Sequence, residues 1–178
     1  MTAQKHWFST DHDDMKFCFA CGGKLRRRAV PQDKNKRLVC RLCFHITYLN
    51  PKPVAGLIPI MPDGRVALLR RNLDPGWGKW SYPAGFQEVG ETSAEASVRE
   101  TYEEICARAR VTKLLNVYSY TDTNVVTVVY VGKIGRREKP SPGVESLEVR
   151  YFTPREIPWK GLAFRSTTDA LKDWVKSL

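Results

Sequence analysis

Gly85-Phe86-Gln87-Glu88-Val89-Gly90-Glu91 and, further on, Arg99-Glu100-Thr101-Tyr102-Glu103-Glu104 decide how this chain is read. On an α-helix, positions 100, 103 and 104 share one face. Three like charges there repel and weaken the helix, so such a cluster is kept more readily where a divalent cation sits on it. Mg²⁺ and Mn²⁺ are hard ions that prefer carboxylate oxygens and keep some waters. Held there, they can bind phosphate oxygens, neutralise charge as a P–O bond breaks and acidify an attacking water. A solvated acidic face is the plainer alternative, and it would be preferred for an isolated Glu-Glu pair. Two glycines ahead of the helix, and Arg99 embedded beside the acids, weigh against it.

Working outward, Thr92 and Glu95 have the spacing of a capping box, and the helix is expected over Thr92 to about Cys106. Upstream, Val54–Ile60 and Arg65–Arg70 read as strands joined by the turn Met61-Pro62-Asp63-Gly64. Asn72–Gly78 reads as a loop, and Trp80–Ala84 leads into Gly85. Downstream, Leu114–Tyr120 and Val125–Ile134 are rich in Val and Tyr and read as strands. Gly135–Gly143 is a basic loop, Val149–Thr153 a further strand. Thr167–Leu178 places Ala170, Leu171, Trp174 and Val175 at helical spacing. Mixed strands with two helices make the fold α+β, an α/β/α sandwich around a mixed sheet.

A second pattern precedes these elements. Cys18-Phe19-Ala20-Cys21 and Cys40-Arg41-Leu42-Cys43 are two CxxC pairs, each able to offer two thiolates from one turn, which suits one tetrahedral zinc. A redox CxxC would need a strand-to-helix context, which is absent. The hairpin between the pairs carries Arg26-Arg27-Arg28 and Lys34-Asn35-Lys36-Arg37. A solvated hairpin face is the preferred reading of that charge, with nucleic-acid contact as the alternative. A ribbon this small buries little, so the metal must supply its folding energy. The chain therefore divides into a leader (1–14), a zinc ribbon (15–50) and a larger domain (51–178), with Asn50-Pro51-Lys52-Pro53 at the boundary. Cys106 stands apart and reads as a small buried residue.

The 178 residues are 42% hydrophobic with a net charge of +10, which fits a globular chain with one ordinary core; the charge reads either as a solvated surface rich in Lys and Arg or as a sign of an anionic partner, nucleic acid or a phosphate-bearing small molecule. No apolar run is long enough to span a bilayer, and the polar N-terminus lacks the features of a secretory signal, so a cytoplasmic location is expected.

With these residues in place, the acidic segment resembles the Nudix box, G-x5-E-x7-R-E-U-x-E-E-x-G-U, where U is aliphatic. Gly85, Glu91, Arg99, Glu100, Glu103 and Glu104 fall in register, as does Ala107 at the final aliphatic position. Thr101 departs from the pattern. So does Cys106, which stands where glycine usually ends the helix; lacking glycine's left-handed freedom, it is expected to alter that end. The resemblance implies catalytic Mg²⁺ or Mn²⁺ held by Glu100 and Glu104, with Glu103 a third ligand and the Gly85 carbonyl a fourth. It implies a structural Glu91–Arg99 pair. Ser81-Tyr82-Pro83-Ala84-Gly85 resembles the usual lead-in, and Glu88 is either auxiliary or solvated.

The likeness extends further. Cys18 to Cys43, then Tyr48-Leu49-Asn50-Pro51, resembles the zinc ribbon ahead of some Nudix domains. Gly143 to Phe152, Glu156-Ile157-Pro158 and Leu162-Ala163-Phe164 resemble a subgroup that includes FAD and ADP-ribose pyrophosphatases. Family members often place a base or further ligand in a loop outside the box; Glu145 and Glu148 are the candidates, with a strand-end salt bridge the alternative for each. Trp77, Trp80, Phe86, Tyr118, Tyr120 and Tyr130 are rings that could stack adenine or isoalloxazine, most of them expected in the core.

The resemblance thus implies hydrolysis of the pyrophosphate bond of a nucleoside diphosphate derivative, FAD or ADP-ribose, by water attack at a metal-bound phosphate. NADH hydrolysis or NAD-cap removal from RNA ranks lower, because no Ser-Gln-Pro-Trp-Pro-Phe-Pro array follows Cys106. A non-catalytic nucleic-acid-binding or regulatory module is the alternative of another class; the complete carboxylate set stands against it. Nudix enzymes often dimerise, so a homodimer is possible, though no interface stripe is evident.

Overall fold

Alternation along one short strand shows how the larger unit is layered. Val66 and Leu68 point into one apolar cluster, while Ala67 and Leu69 point into another on the opposite face of the sheet, and all four are fully buried. A strand buried on both faces reads as a continuous hydrophobic run because each face is covered by a helix. The computed structural model describes residues 15–31 and 33–178, so the expected leader lies outside the described residues. By internal contacts the chain divides into two compact units, one reaching to Pro51 and including Thr121–Asn124, the other formed by Lys52–Tyr120 and Val125–Leu178.

The first unit contains three short strands, β1 (Leu25–Arg28), β2 (Arg37–Cys40) and β3 (Ile46–Thr47), in the order β1-β2-β3. β1 and β2 form the expected antiparallel hairpin, with Leu25 opposite Cys40 and Arg28 opposite Arg37. Asp33 in the hairpin loop accepts the Arg37 Nε–H at 2.6 Å.

In the second unit, β4 (Lys52–Ile60), β5 (Val66–Arg71), β6 (Trp80–Ser81), β7 (Ala84–Phe86), helix α1 (Ser93–Ile105), β8 (Ala109–Ser119), β9 (Val125–Ile134), β10 (Ser146–Phe152), one 3-10 turn (Trp159–Gly161) and helix α2 (Arg165–Lys176) follow in order. The sheet runs β10-β5-β4-β9-β8, with β6 on β5 and β7 on β4. β4 and β9 are parallel and the other pairs antiparallel, so the sheet is mixed. Ala170, Leu171 and Trp174 of α2 cover one face with Ile58, Leu68 and Val129. Ile105 of α1 covers the other with Ala67, Leu69 and Ile134. This is the α/β/α arrangement.

α1 starts as expected: Thr92 Oγ1 accepts the Glu95 N–H, and the Glu95 carboxylate accepts the Thr92 N–H. Two expectations about Cys106 are corrected. It is exposed rather than buried, and it ends α1 in the left-handed conformation (φ 49°, ψ 34°) that the family pattern gives to glycine. The helix end therefore keeps the family geometry at the cost of a strained non-glycine residue. β8 also begins earlier than the sequence suggests, at Ala109. Register shifts between Val111 and Lys113 and between Leu114 and Asn116 break the alternation that would have marked its first half.

Candidate active site

β7 and α1 bring the acidic segment together. Gly85 on β7 pairs with Ala55 of β4, and a side chain there would collide with the carboxylate of Glu100. Any larger residue at position 85 would have to displace the Glu100 carboxylate, which lies directly against the strand. Glu104, one turn on, is almost fully buried at 3% exposure, and one of its oxygens accepts the Ala84 N–H at 2.9 Å. Burial is the main cause that pushes the Glu104 carboxyl up to about 8, aided by the negative charges of Glu100 and Glu145 and countered by Ala84 and Arg71. Glu100 is raised too, chiefly by desolvation, with Arg99 opposing.

Arg99 ties the loop to the helix. Its guanidinium donates to both oxygens of Glu91 at 3.1 and 2.7 Å, to Glu100 at 2.7 Å, to Glu103 at 3.0 Å and to the Phe86 carbonyl at 3.0 Å. The side-on grip of a planar guanidinium on a carboxylate is the strong form of this pairing. The Arg99 hydrogen bonds, with the Glu88 N–H behind them, hold the Glu91 carboxyl down at about 2. Two acids of one segment are thus tuned in opposite directions: Glu91 by a cation it grips, Glu104 by burial.

The loop before β10 is hooked onto the C-terminal end of α1. The Gly143 N–H and the Ser146 hydroxyl both donate to the Glu104 carbonyl, at 3.0 and 2.7 Å, and the Ser141 N–H donates to the Ile105 carbonyl at 2.9 Å. The Asn72 N–H donates to the Glu145 carbonyl at 2.8 Å. Glu145 is therefore fixed relative to Glu104, and its charge is felt by both Glu100 and Glu104. Glu148 instead ion-pairs with Arg150 and lies 3.7 Å from Arg70. Arg71, at the end of β5, was not distinguishable by sequence pattern from the other surface arginines. Its Nε–H donates to the Pro75 carbonyl at 3.0 Å, its plane lies over Phe164, and its charge acts on Glu104.

Of the six candidate stacking rings, Trp77 and Phe86 are exposed. Tyr118 is buried with its hydroxyl on Asp173, Tyr120 bonds Asp169 under Arg165, Tyr130 shares a hydrogen bond with Ser93, and Trp80 packs on Phe152.

In the first unit the four cysteine sulfurs lie within 4.8 Å of one another, the one metal-ligating group of this kind among the described residues. Cys18 and Cys43 sulfurs are 3.8 Å apart, Cys21 and Cys40 3.4 Å, Cys21 and Cys43 3.3 Å, and none forms a disulfide. Tetrahedral zinc with ~2.3 Å bonds needs sulfurs about 3.8 Å apart, so the cluster fits zinc. The Cys43 N–H, with that of Leu42 behind it, points at the Cys40 sulfur and lowers that thiol, whereas the Cys43 thiol, which accepts the His45 N–H, is raised by the Cys21 sulfur and by burial.

Comparison with known proteins agrees with this geometry. Residues 50–172 match the NUDIX domain family, and residues 16–49 match the zinc-ribbon family described as Nudix N-terminal. The chain belongs to the Nudix hydrolases, and within them to those that carry an N-terminal zinc ribbon. It is 30% identical to an ADP-ribose pyrophosphatase of Methanocaldococcus jannaschii over 90% of this chain and 96% of that one. It is 36% identical to an NAD-capped RNA hydrolase NudC of Haemophilus influenzae over 50% of this chain and 33% of that one. A solved NUDIX hydrolase from Nitrosomonas europaea superposes with a TM-score of 0.85 at 40% identity, covering 92% of both chains.

Proposed function

We propose that this Nudix hydrolase cleaves the pyrophosphate bond of FAD or ADP-ribose in a Mg²⁺- or Mn²⁺-dependent reaction, at the face formed by Gly85, Glu100, Glu103, Glu104 and Glu145. The observation that carries this reading is Glu104: a carboxylate buried to 3% exposure, with like charges on Glu100 and Glu145 beside it. Such a group either keeps a proton or faces a cation. The donors are hard oxygens, a set that suits Mg²⁺ or Mn²⁺. Glu100, Glu103 and Glu104, with the Gly85 carbonyl, would hold the ion, which when bound supplies charge neutralisation at the phosphate and a more acidic water.

This chain's own residues do the rest. Glu91 and Arg99 fix the loop so that Gly85 and Glu100 stay in contact. Glu145 is the better placed of the two outer acids to take the proton of the attacking water, because Glu148 is engaged by arginines. Water adds to one phosphorus, the bridging P–O bond breaks, and two phosphate-bearing halves leave: FMN and AMP from FAD, or AMP and ribose phosphate from ADP-ribose. Trp77 and Phe86 are the rings open to stack on the base or flavin.

The full-length similarity to the Methanocaldococcus jannaschii protein supports ADP-ribose. A second reading, hydrolysis of NADH or NAD-capped RNA, is supported by the similarity to NudC over half of the chain. Incubation with Mg²⁺ and, in turn, FAD, ADP-ribose, NADH, dinucleoside polyphosphates and NAD-capped RNA, with product identification, tests both. Turnover of FAD or ADP-ribose is expected to dominate. Faster turnover of NADH or capped RNA would install the second reading, and no turnover on any of them would sink both.

A further inference from the structure

The ribbon unit carries more charge and more exposed rings than a structural knuckle requires. Between residues 15 and 50 there are nine Lys and Arg against one acid, Asp33, and Asp33 is engaged by Arg37. Lys24, Arg26, Arg28 and Arg41 are all exposed, and the Arg41 N–H donates to the Lys24 carbonyl, joining the start of the basic strand to the second knuckle. The knuckles themselves present rings: Phe19 is 76% and Phe44 66% exposed, and Phe19 meets His45 edge to face at 4.7 Å.

Phe44 sharpens the point. The residue after the last cysteine of the first knuckle is Gly22, in the left-handed conformation (φ 70°) that favours glycine. The same position of the second knuckle is Phe44, at φ 60°. A bulky residue there is strained, and its exposed ring gains little burial to offset that strain. Folding alone would favour glycine at both places. Flat exposed rings among cations are what a single-stranded nucleic acid engages, the bases stacking and the phosphates meeting Lys and Arg.

We propose that the zinc ribbon is a binding surface for single-stranded nucleic acid, with Phe19 and Phe44 stacking bases and Lys24, Arg26, Arg28 and Arg41 contacting phosphates. Its residues are none of those proposed for the carboxylate site, so the proposal does not depend on which small molecule that site cleaves.

The test uses the zinc-loaded full chain and a labelled mixed-sequence RNA 20-mer, read by fluorescence anisotropy at several salt concentrations. The 20-mer is expected to bind with an affinity that falls steeply with salt. Phe44→Gly is expected to weaken binding about tenfold, as loss of one stacked base does, while zinc content stays the same and the melting temperature holds or rises. Phe19→Ala should weaken it similarly, and Arg26→Glu with Arg28→Glu should weaken it and flatten the salt slope. Inorganic polyphosphate or duplex RNA binding as tightly as the single strand would overturn the proposal, since neither offers free base faces. So would an unchanged affinity in Phe44→Gly. Binding to phosphatidylserine vesicles without binding to RNA, or a dimer lost on Phe44→Gly without RNA binding, would overturn it in favour of a membrane or a second copy.

Discussion

The cysteine cluster of the ribbon and the carboxylate face of α1 relate to the fold in opposite ways. Among the described residues of the ribbon, the buried apolar side chains are Leu38 and Val39, beside Cys18 and Cys40. There the four sulfurs converge, an arrangement that fits a zinc in place of a core. The carboxylate face rests on a sheet covered by helices on both sides, whose clusters are complete without any ion. Arg99 stands among Glu91, Glu100 and Glu103, and Glu104 accepts the Ala84 N–H. The sulfurs thus gather where the apolar core is small, whereas the carboxylates lie on a unit whose core is complete.

The largest expected effect removes one acid from the second centre. Glu104→Gln keeps an oxygen for the Ala84 N–H but loses the buried charge, so hydrolysis should fall about 100-fold or more while the melting temperature holds or rises. Steady-state kinetics with calorimetry checks this, and a fully active variant would show that the carboxylate face has no part in hydrolysis. Next, stripping zinc with a strong chelator should unfold the ribbon and leave the larger unit's sheet intact. Thiol titration should then show the four ribbon cysteines reactive, while far-UV circular dichroism keeps most of its β signal. Loss of the whole fold would mean that the two centres are not separable.

The opposed tuning of Glu104 and Glu91 predicts opposite pH effects. Glu104 is raised to about 8, so without added Mg²⁺ its contribution to stability is full below its unfolded value near 4.5 and is lost as pH rises towards 8. Mg²⁺ should accordingly stabilise the protein more at pH 8 than at pH 6. Glu91 is lowered to about 2, so its contribution is full above its unfolded value and is lost as pH falls from about 4.5 towards 2. Urea unfolding of the parent and of Glu91→Gln across pH 3–8 separates the two acids. The smallest effect is Cys106→Gly, which relieves the left-handed strain but loosens the unfolded chain. A net gain below about 1 kcal/mol, with unchanged hydrolysis, is expected from urea midpoints.

Much of this was legible from the residues. Thr92 and Glu95 marked the start of α1, the two CxxC pairs marked the cysteine cluster, and the resemblance to the Nudix box implied the Glu91–Arg99 pair. These are local patterns whose physics lies within a few residues. What the sequence left unread was either non-local or irregular. Nothing in Val54–Ile60 or Val125–Ile134 says that they pair in parallel, because that register depends on residues far apart in the chain. The bulges hid the first half of β8. The separation of Glu145 from Glu148 required seeing which of them arginines engage, and the influence of Arg71 on Glu104 required the fold.

The hook between Gly143, Ser146 and the end of α1 has an evolutionary consequence. A side chain at Gly143 would collide with the Glu103 carbonyl, so that junction tolerates little change. The exposed stretch just before it, Arg136 and Arg137, is under no such restraint. Descendants of this chain can lengthen, shorten or rewrite that stretch while Glu145 keeps its place relative to α1.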